Sequence, residues 1–332
     1  MRNRRADIDM AKGFAILLVV FGHLVARQDP QGVHWYEPLR RAVYAFHMPF
    51  FLYLSGLVAS FGFVASGRRA FWPSARARAH RLLLPFFGLG LLVLAGKLVA
   101  SRFFFVDHVP ASISAGLDGL FWHTEASPAL SIWYMFVLFV LSIATLWLLD
   151  GQPKRLSWLL AFSLLLCWLP VPAYAYMDRV FAYAPFFLMG AAAGFAEPRW
   201  NQLMDRAWPW ALAALLAGLI GVALWGREGE QETVMLPLGA LSMLALHGAM
   251  RRIQPGRLHG ILLFFGRYSF MIYLGNTICI GLAKGMMLRF MSWNGAHFLL
   301  YAPVLLAAGL FGPIALKHYG FARMPALNRL TD

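Results

Sequence analysis

Charge is scarce in this chain, and cysteine is scarcer. Only 13% of the 332 residues are Asp, Glu, Lys or Arg, while 60% are hydrophobic, against an apolar share of roughly 45–50% in a soluble domain. That balance excludes an ordinary soluble domain and predicts an all-α, polytopic membrane protein. Cys167 and Cys279 each stand inside an apolar stretch, with no paired spacing and no His or Cys cluster beside them. They read as packing residues, and no metal site is expected. Acidic residues number 15 against 29 basic ones, a net charge of +14. The basic residues lie in short connections between apolar runs, so membrane orientation explains the excess more simply than nucleic acid does. No Walker-type glycine loop occurs, which argues against ATP hydrolysis, and no internal repeat is visible. No small-residue cleavage site precedes the run from residue 12 to residue 23, so the basic start reads as the flank of a retained first span.

A bilayer core about 30 Å thick needs about 20 mostly apolar residues per helix. Ten stretches come close: 10–27, 43–65, 82–101, 131–149, 157–174, 180–196, 208–225, 234–250, 260–283 and 297–317. The first is short, and the fifth carries Pro170 and Pro172 near its end. With the N-terminus inside, roughly 18 Lys and Arg fall on inner connections against roughly 8 outside, the asymmetry that sets topology. Both termini are therefore expected in the cytoplasm and the protein in the inner, plasma membrane. Residues 1–317 are expected to form one membrane domain and 318–332 a short cytoplasmic tail.

The first span carries a carboxylate, a cation and an imidazole: Asp9, Lys12 and His23. Lys12 and His23 are eleven residues apart, which returns to within about 20° of the same helical face roughly 16 Å further on. A charge at the centre of a membrane costs about 2.5 kcal/mol or more, so such residues normally face a bundle interior. The plainer alternative has Lys12 snorkelling and His23 among the far headgroups. His47, early in the second span, should sit at the depth of His23. Pro49 is expected to free a carbonyl and bend that helix, and Ser55-Gly56 to admit a neighbouring backbone.

The connection around Arg68, Arg69, Arg76, Arg78 and Arg81 suits either anionic lipid or a polyanionic ligand whose phosphates meet several guanidinium groups. The outer connection, 101–130, is too long for a plain link and is expected to hold a short interfacial helix. Phe121 and Trp122 beside His123 and Glu125, like Trp133, Tyr134 and Tyr183, read either as a membrane belt or as a sugar platform. In the ninth span, Arg267 and Asn276 are expected to face the bundle.

Four of these features together resemble the acyltransferase-3 family of multi-pass membrane proteins, particularly its fucose 4-O-acetylase-like branch. They are Lys12 and His23 with ten residues between them, preceded by Ile8-Asp9; His47-Met48-Pro49-Phe50-Phe51 followed by Ser55-Gly56; Arg78 and Arg81 before Leu84-Pro85; and Ile132-Trp133-Tyr134. The sequence departs from the family after Tyr273-Leu274, where Gly275-Asn276 replaces the usual His. The resemblance implies transfer of an acyl group, usually acetyl and sometimes succinyl, from acyl-CoA in the cytoplasm to a hydroxyl of a glycan outside. His23 is then the general base, Asp9 holds Lys12, and His47 orients the acceptor or the base. Lys12, Arg76, Arg78 and Arg81 hold the coenzyme's phosphates, and Ser55, Trp133, Tyr134 and Asn276 contact substrate. No tightly bound cofactor is implied, acetyl-CoA being a co-substrate. The implied partners are acyl-CoA, a carbohydrate acceptor and membrane lipids, with a second copy of the chain or a separate envelope protein as further ones. Some relatives add a soluble esterase-like domain; this chain stops about 15 residues past its last span, so transfer should finish in the membrane unit or pass to a partner. The physical wager is a continuous channel from Lys12 to His23. The rival reading is a transporter or flippase for a lipid-linked sugar, which predicts paired broken helices in two related halves.

Overall fold

The first helix, α1 (Ala6–Gly22), is apolar nearly all round, and beyond Ala6 none of its residues is exposed. A helix with no solvated face belongs inside a bundle. In the computed structural model, residues 5–25, 30, 32–63, 71–103, 106, 109–226 and 231–323 are described. In chain order α1 is followed by α2 (Tyr36–Tyr44), α3 (His47–Phe63), α4 (Phe71–Ala100) and the short α5 (Ile113–Phe121). Next come α6 (Trp133–Leu149), α7 (Arg155–Leu166), α8 (Met177–Phe195) and α9 (Glu197–Trp225). After α10 (Gln231–Ser242), a π turn at Met243–His247 leads into one further turn, α11 (Gly248–Met250). The long α12 (Arg257–Met287) and α13 (Gly295–Ala315) complete the order.

Each of the ten predicted stretches carries helix, and the described residues hold 7 helices long and apolar enough to cross a membrane. The first, fifth and sixth stretches fall outside that number. α1 has 17 residues and α7 has 12, ending before Pro170 and Pro172 as the proline pair predicts. α8 has 19 but carries Asp178 and Arg179 in its first turn. The short helix expected in the connection 101–130 is present as α5, capped by the Ser112 hydroxyl accepting from the Ala115 N–H at 3.1 Å. Several arginines of the orientation argument, Arg2, Arg4, Arg27, Arg68, Arg69, Arg227 and Arg329, lie outside the described residues, as does the tail beyond residue 323.

The chain divides into two compact units, Met1–Phe51 with Pro198–Asp332, and Leu52–Glu197. In the first, α1 packs along α12, and α12 along α13. The α1–α12 crossing is set by reciprocal glycines. A Cβ on Gly13 would lie 2.0 Å from the Leu262 carbonyl oxygen, and one on Gly266 would lie 1.9 Å from the Asp9 carbonyl oxygen. Lipid tails are as apolar as leucine, so helices associate in membranes through such close backbone approach. In the second unit the same device joins α3 to α8: Gly56 meets the Phe187 carbonyl and Gly190 the Tyr53 carbonyl, with Cβ positions 1.9 and 2.0 Å away. The close approach expected at Ser55-Gly56 is therefore present. α4 buries Leu82, Phe86, Gly90 and Leu94, one stripe at four-residue spacing, while Trp72, Leu84, Leu91 and Leu92 stay exposed, as befits a lipid-facing side.

Two expectations are corrected. Pro49 does not bend the middle of a helix. Having no N–H for the Ala45 carbonyl four residues earlier, it ends the ladder there, and α3 restarts at His47 after a turn at residues 45–46. Arg267 does not face the bundle: the buried stripe of α12 runs through Leu262, Phe265, Gly266, Ile272 and Asn276, and Arg267 falls off it, exposed beside the Tyr268 ring.

Candidate active site

His23 stands where α1 runs out. Four terminal carbonyls of a helix lack intrahelical donors, and here two tyrosines of α2, eight residues apart, serve two of them. The Tyr36 hydroxyl donates to the Phe21 carbonyl at 2.7 Å, and that of Tyr44 to the Gly22 carbonyl at 2.8 Å. Gly22 is required by this packing, since a Cβ there would lie 2.5 Å from the Tyr44 ring. The capped end turns His23 toward α12, where its Nδ1 lies 2.8 Å from the Asn276 Oδ1. Asn276 is fully buried, and its amide nitrogen donates to the Ile272 and Tyr273 carbonyls, both at 2.9 Å.

His47 comes into the same neighbourhood through the break that Pro49 causes. Its Nδ1 donates to the Val43 carbonyl at 2.9 Å, and its ring stacks on Tyr44 at 4.9 Å and 27°. Tyr44 links the two imidazoles: its hydroxyl holds the Gly22 carbonyl, one residue before His23, and its ring carries His47. Arg40, paired with Glu37 at 2.6 Å, lies over the Tyr44 ring. Tyr44 thus both caps α1 and backs His47. Tyr44→Phe keeps the ring and loses the donor, so we expect about 1 kcal/mol of lost stability with transfer little changed, checked by thermal unfolding in detergent beside an activity assay.

At the other end of α1, Asp9 and Lys12 approach to 4.0 Å, one turn apart as their spacing requires. Both side chains are partly buried. Among the described residues, the stripe of α1 between Lys12 and His23 is closed, where an open channel was expected. Ile16 and Val19 lie on the same face between them and are 0% and 2% exposed, so packed hydrocarbon fills that stripe. Spacing shows which residues share a face; it says nothing about what the next helix places against them.

The remaining predicted residues belong to the second unit. Arg78 continues the buried stripe of α4 one turn before Leu82, and its guanidinium lies over the Phe63 ring of α3. The Tyr134 hydroxyl is 2.5 Å from the Ser55 hydroxyl. Ser55 and Tyr134 therefore form one pair. Arg76 and Arg81 are both exposed, Arg76 about 200° around the helix from Arg78. Trp133 meets Tyr134 edge to face and reaches α8, with its ring 4.9 Å from that of Tyr183 and under the Arg179 guanidinium at 4.8 Å.

One polar cluster escaped the sequence reading. Asp7 takes an ion pair from Arg5 at 2.7 Å, approaches His247 Nε2 at 3.2 Å and lies 3.8 Å from Arg251, which also reaches Asp205. His247 is buried on the π turn, a distortion that often marks function. Its signal was available: an imidazole within the apolar run 234–250.

A family model, acyltransferase-3, described as an acyltransferase domain, matches residues 5–318. Nodulation protein NolL of Mesorhizobium japonicum is 29% identical over 239 residues, covering 68% of this chain and 58% of the relative. Nodulation protein NolL of Sinorhizobium fredii is 36% identical over 125 residues, covering 36% of this chain and 33% of the relative. The match thus spans less than two thirds of either relative's length. No solved structure matches the chain.

Proposed function

From the premise that this chain belongs to the acyltransferase-3 family, we propose that it moves an acyl group, acetyl first, from a cytoplasmic acyl-CoA to a hydroxyl of an exported or cell-envelope glycan. The observation that carries this reading is the pair of imidazoles, His23 and His47, joined through Tyr44 at the end of α1, each with its Nδ1 engaged. A hydroxyl is a poor nucleophile until a positioned base takes its proton, and imidazole titrates close to neutrality. In this mechanism the acceptor oxygen attacks the thioester carbonyl while His23 takes the hydroxyl proton. The tetrahedral adduct then collapses, the C–S bond breaks, and the imidazolium returns the proton to the coenzyme thiolate. His47, locked by a backbone carbonyl and stacked on Tyr44, orients the acceptor beside the base.

Lys12 supplies a cation at the opposite end of the same helix, suited to a phosphate of the coenzyme. Arg78 and Arg81 supply two guanidinium groups for the same class of ligand, and Ser55 and Tyr134 a hydroxyl pair for the acceptor. Arg76, about 200° around α4 from Arg78, is assigned to anionic lipid instead. Because Ile16 and Val19 close the stripe between Lys12 and His23, delivery of the thioester requires those side chains to yield when the donor binds.

The test uses purified protein in liposomes with acetyl-CoA and an envelope glycan fraction, with acetyl esters on the glycan read by mass spectrometry. Lys12→Met should raise KM for acetyl-CoA about tenfold, the value of one charge-assisted contact, with a smaller effect on kcat. An unchanged KM removes Lys12 from the donor site. Movement of glycan across the bilayer with no ester formed overturns the enzymatic reading and favours a flippase.

A further inference from the structure

Resting on the reading of His23 as the base, we propose that Asn276 is its positioning residue, holding the ring proton on Nδ1 so that the lone pair stays on Nε2. An amide side chain has a donor end and an acceptor end, and here the donor end is committed. Nδ2 gives its two hydrogens to the Ile272 and Tyr273 carbonyls. What remains for the 2.8 Å contact with His23 Nδ1 is Oδ1, which can only accept. A neutral imidazole that donates from Nδ1 carries its lone pair on Nε2. Turning the amide over would set an oxygen against two carbonyl oxygens at 2.9 Å, so the orientation follows from the network itself.

The bonds to α12 do not explain why an amide stands here. Ile272 and Tyr273 lie inside a continuous helix, where their carbonyls already accept from the backbone four residues on. A fully buried amide in an apolar span is costly, and the contact that nothing else on α12 supplies is the one to His23. Packing fixes the register of that contact. Gly13 and Gly266 cross backbone to backbone, and His23 and Asn276 each lie ten residues further along the same two helices, about 15 Å away on both. His47 obtains the same tautomer from the Val43 carbonyl, a backbone group that no substitution at that position removes. His23 depends on a side chain, and that makes its orientation testable.

The experiment compares the full-length protein with Asn276→Leu and Asn276→Asp, reading the His23 tautomer by ¹⁵N NMR of histidine-labelled protein, with His23→Gln to assign the signal. Acetyl transfer is measured in parallel. The wild type should show the proton on Nδ1. Asn276→Asp in its neutral form gives a hydroxyl to one of the two α12 carbonyls and an accepting oxygen to His23, so it should keep that tautomer and retain transfer within about fivefold of wild type. Asn276→Leu, similar in volume, should give mixed tautomers and lower kcat at least about tenfold, short of the ~10²–10⁴ carried by the base itself, with KM for acetyl-CoA unchanged. The proton on Nε2 in the wild type overturns the proposal, even if the Leu variant does not fold. So does a folded Leu variant with the wild-type tautomer and kcat, or an Asp variant that fails as badly as Leu. Full activity in His23→Gln has a different meaning: the reading of the base fails, whatever the tautomer.

Discussion

His23→Gln is expected to slow acyl transfer by about 10²–10⁴-fold, the usual contribution of a positioned general base, while the protein still folds. Glutamine is the diagnostic substitution because its amide can donate to the Asn276 Oδ1 as the imidazole does, leaving no orphaned acceptor next to α12. His23→Ala leaves that buried oxygen without its donor, at about 1–3 kcal/mol, and mixes a stability effect with the chemical one. The measurement is single-turnover decay of acetyl-CoA with the acceptor present, beside size-exclusion profiles of each variant. Transfer undiminished in both variants removes His23 from the mechanism. Loss in Ala alone reduces it to a structural residue.

The second large effect falls on a residue with no side chain. Gly13→Val places carbon 2.0 Å from the Leu262 carbonyl oxygen, a backbone atom no rotamer can move. α1 must then draw away from α12. Overpacking of this kind typically costs about 1–3 kcal/mol, and backbone contact on both helices puts this site at or above the upper end. Any folded remainder should also lose transfer, because separating the helices displaces His23 from Asn276, and about 1 Å of misplacement costs about 10²-fold. Gly88→Ala in α4 is the control: nothing lies within 4 Å of its Cβ position, so gained helix propensity should leave stability unchanged or raised by up to about 1 kcal/mol. Thermal unfolding followed by tryptophan fluorescence distinguishes the two. A Gly13→Val protein as stable as wild type contradicts the glycine crossing.

The polar residues that spacing alone could find were found. Asp9 and Lys12 pair across one turn because both lie on one helix, where geometry is set locally. Ser55-Gly56 receives a neighbouring backbone because absence of a Cβ is itself the signal. Arg267 and Asn276 looked alike in the sequence, two polar residues in one apolar span. Only the buried stripe of α12 separates the exposed one from the fully enclosed one.

What the amino-acid sequence determined by itself is the class of molecule and its parts: apolar runs of helix length, their breaks at proline, the family motif, and the chemistry available in the first span. Tertiary structure alone decided the pairings that make a site. His23 meets Asn276 across 253 residues and Asp7 meets His247 across 240, while Ile16 and Val19 are packed shut where an open channel was expected. The physical reason is that in lipid one apolar face competes for partners about as well as another. Register then follows from where two backbones can touch, a property of pairs of helices that hydropathy and spacing along one strand of sequence do not encode.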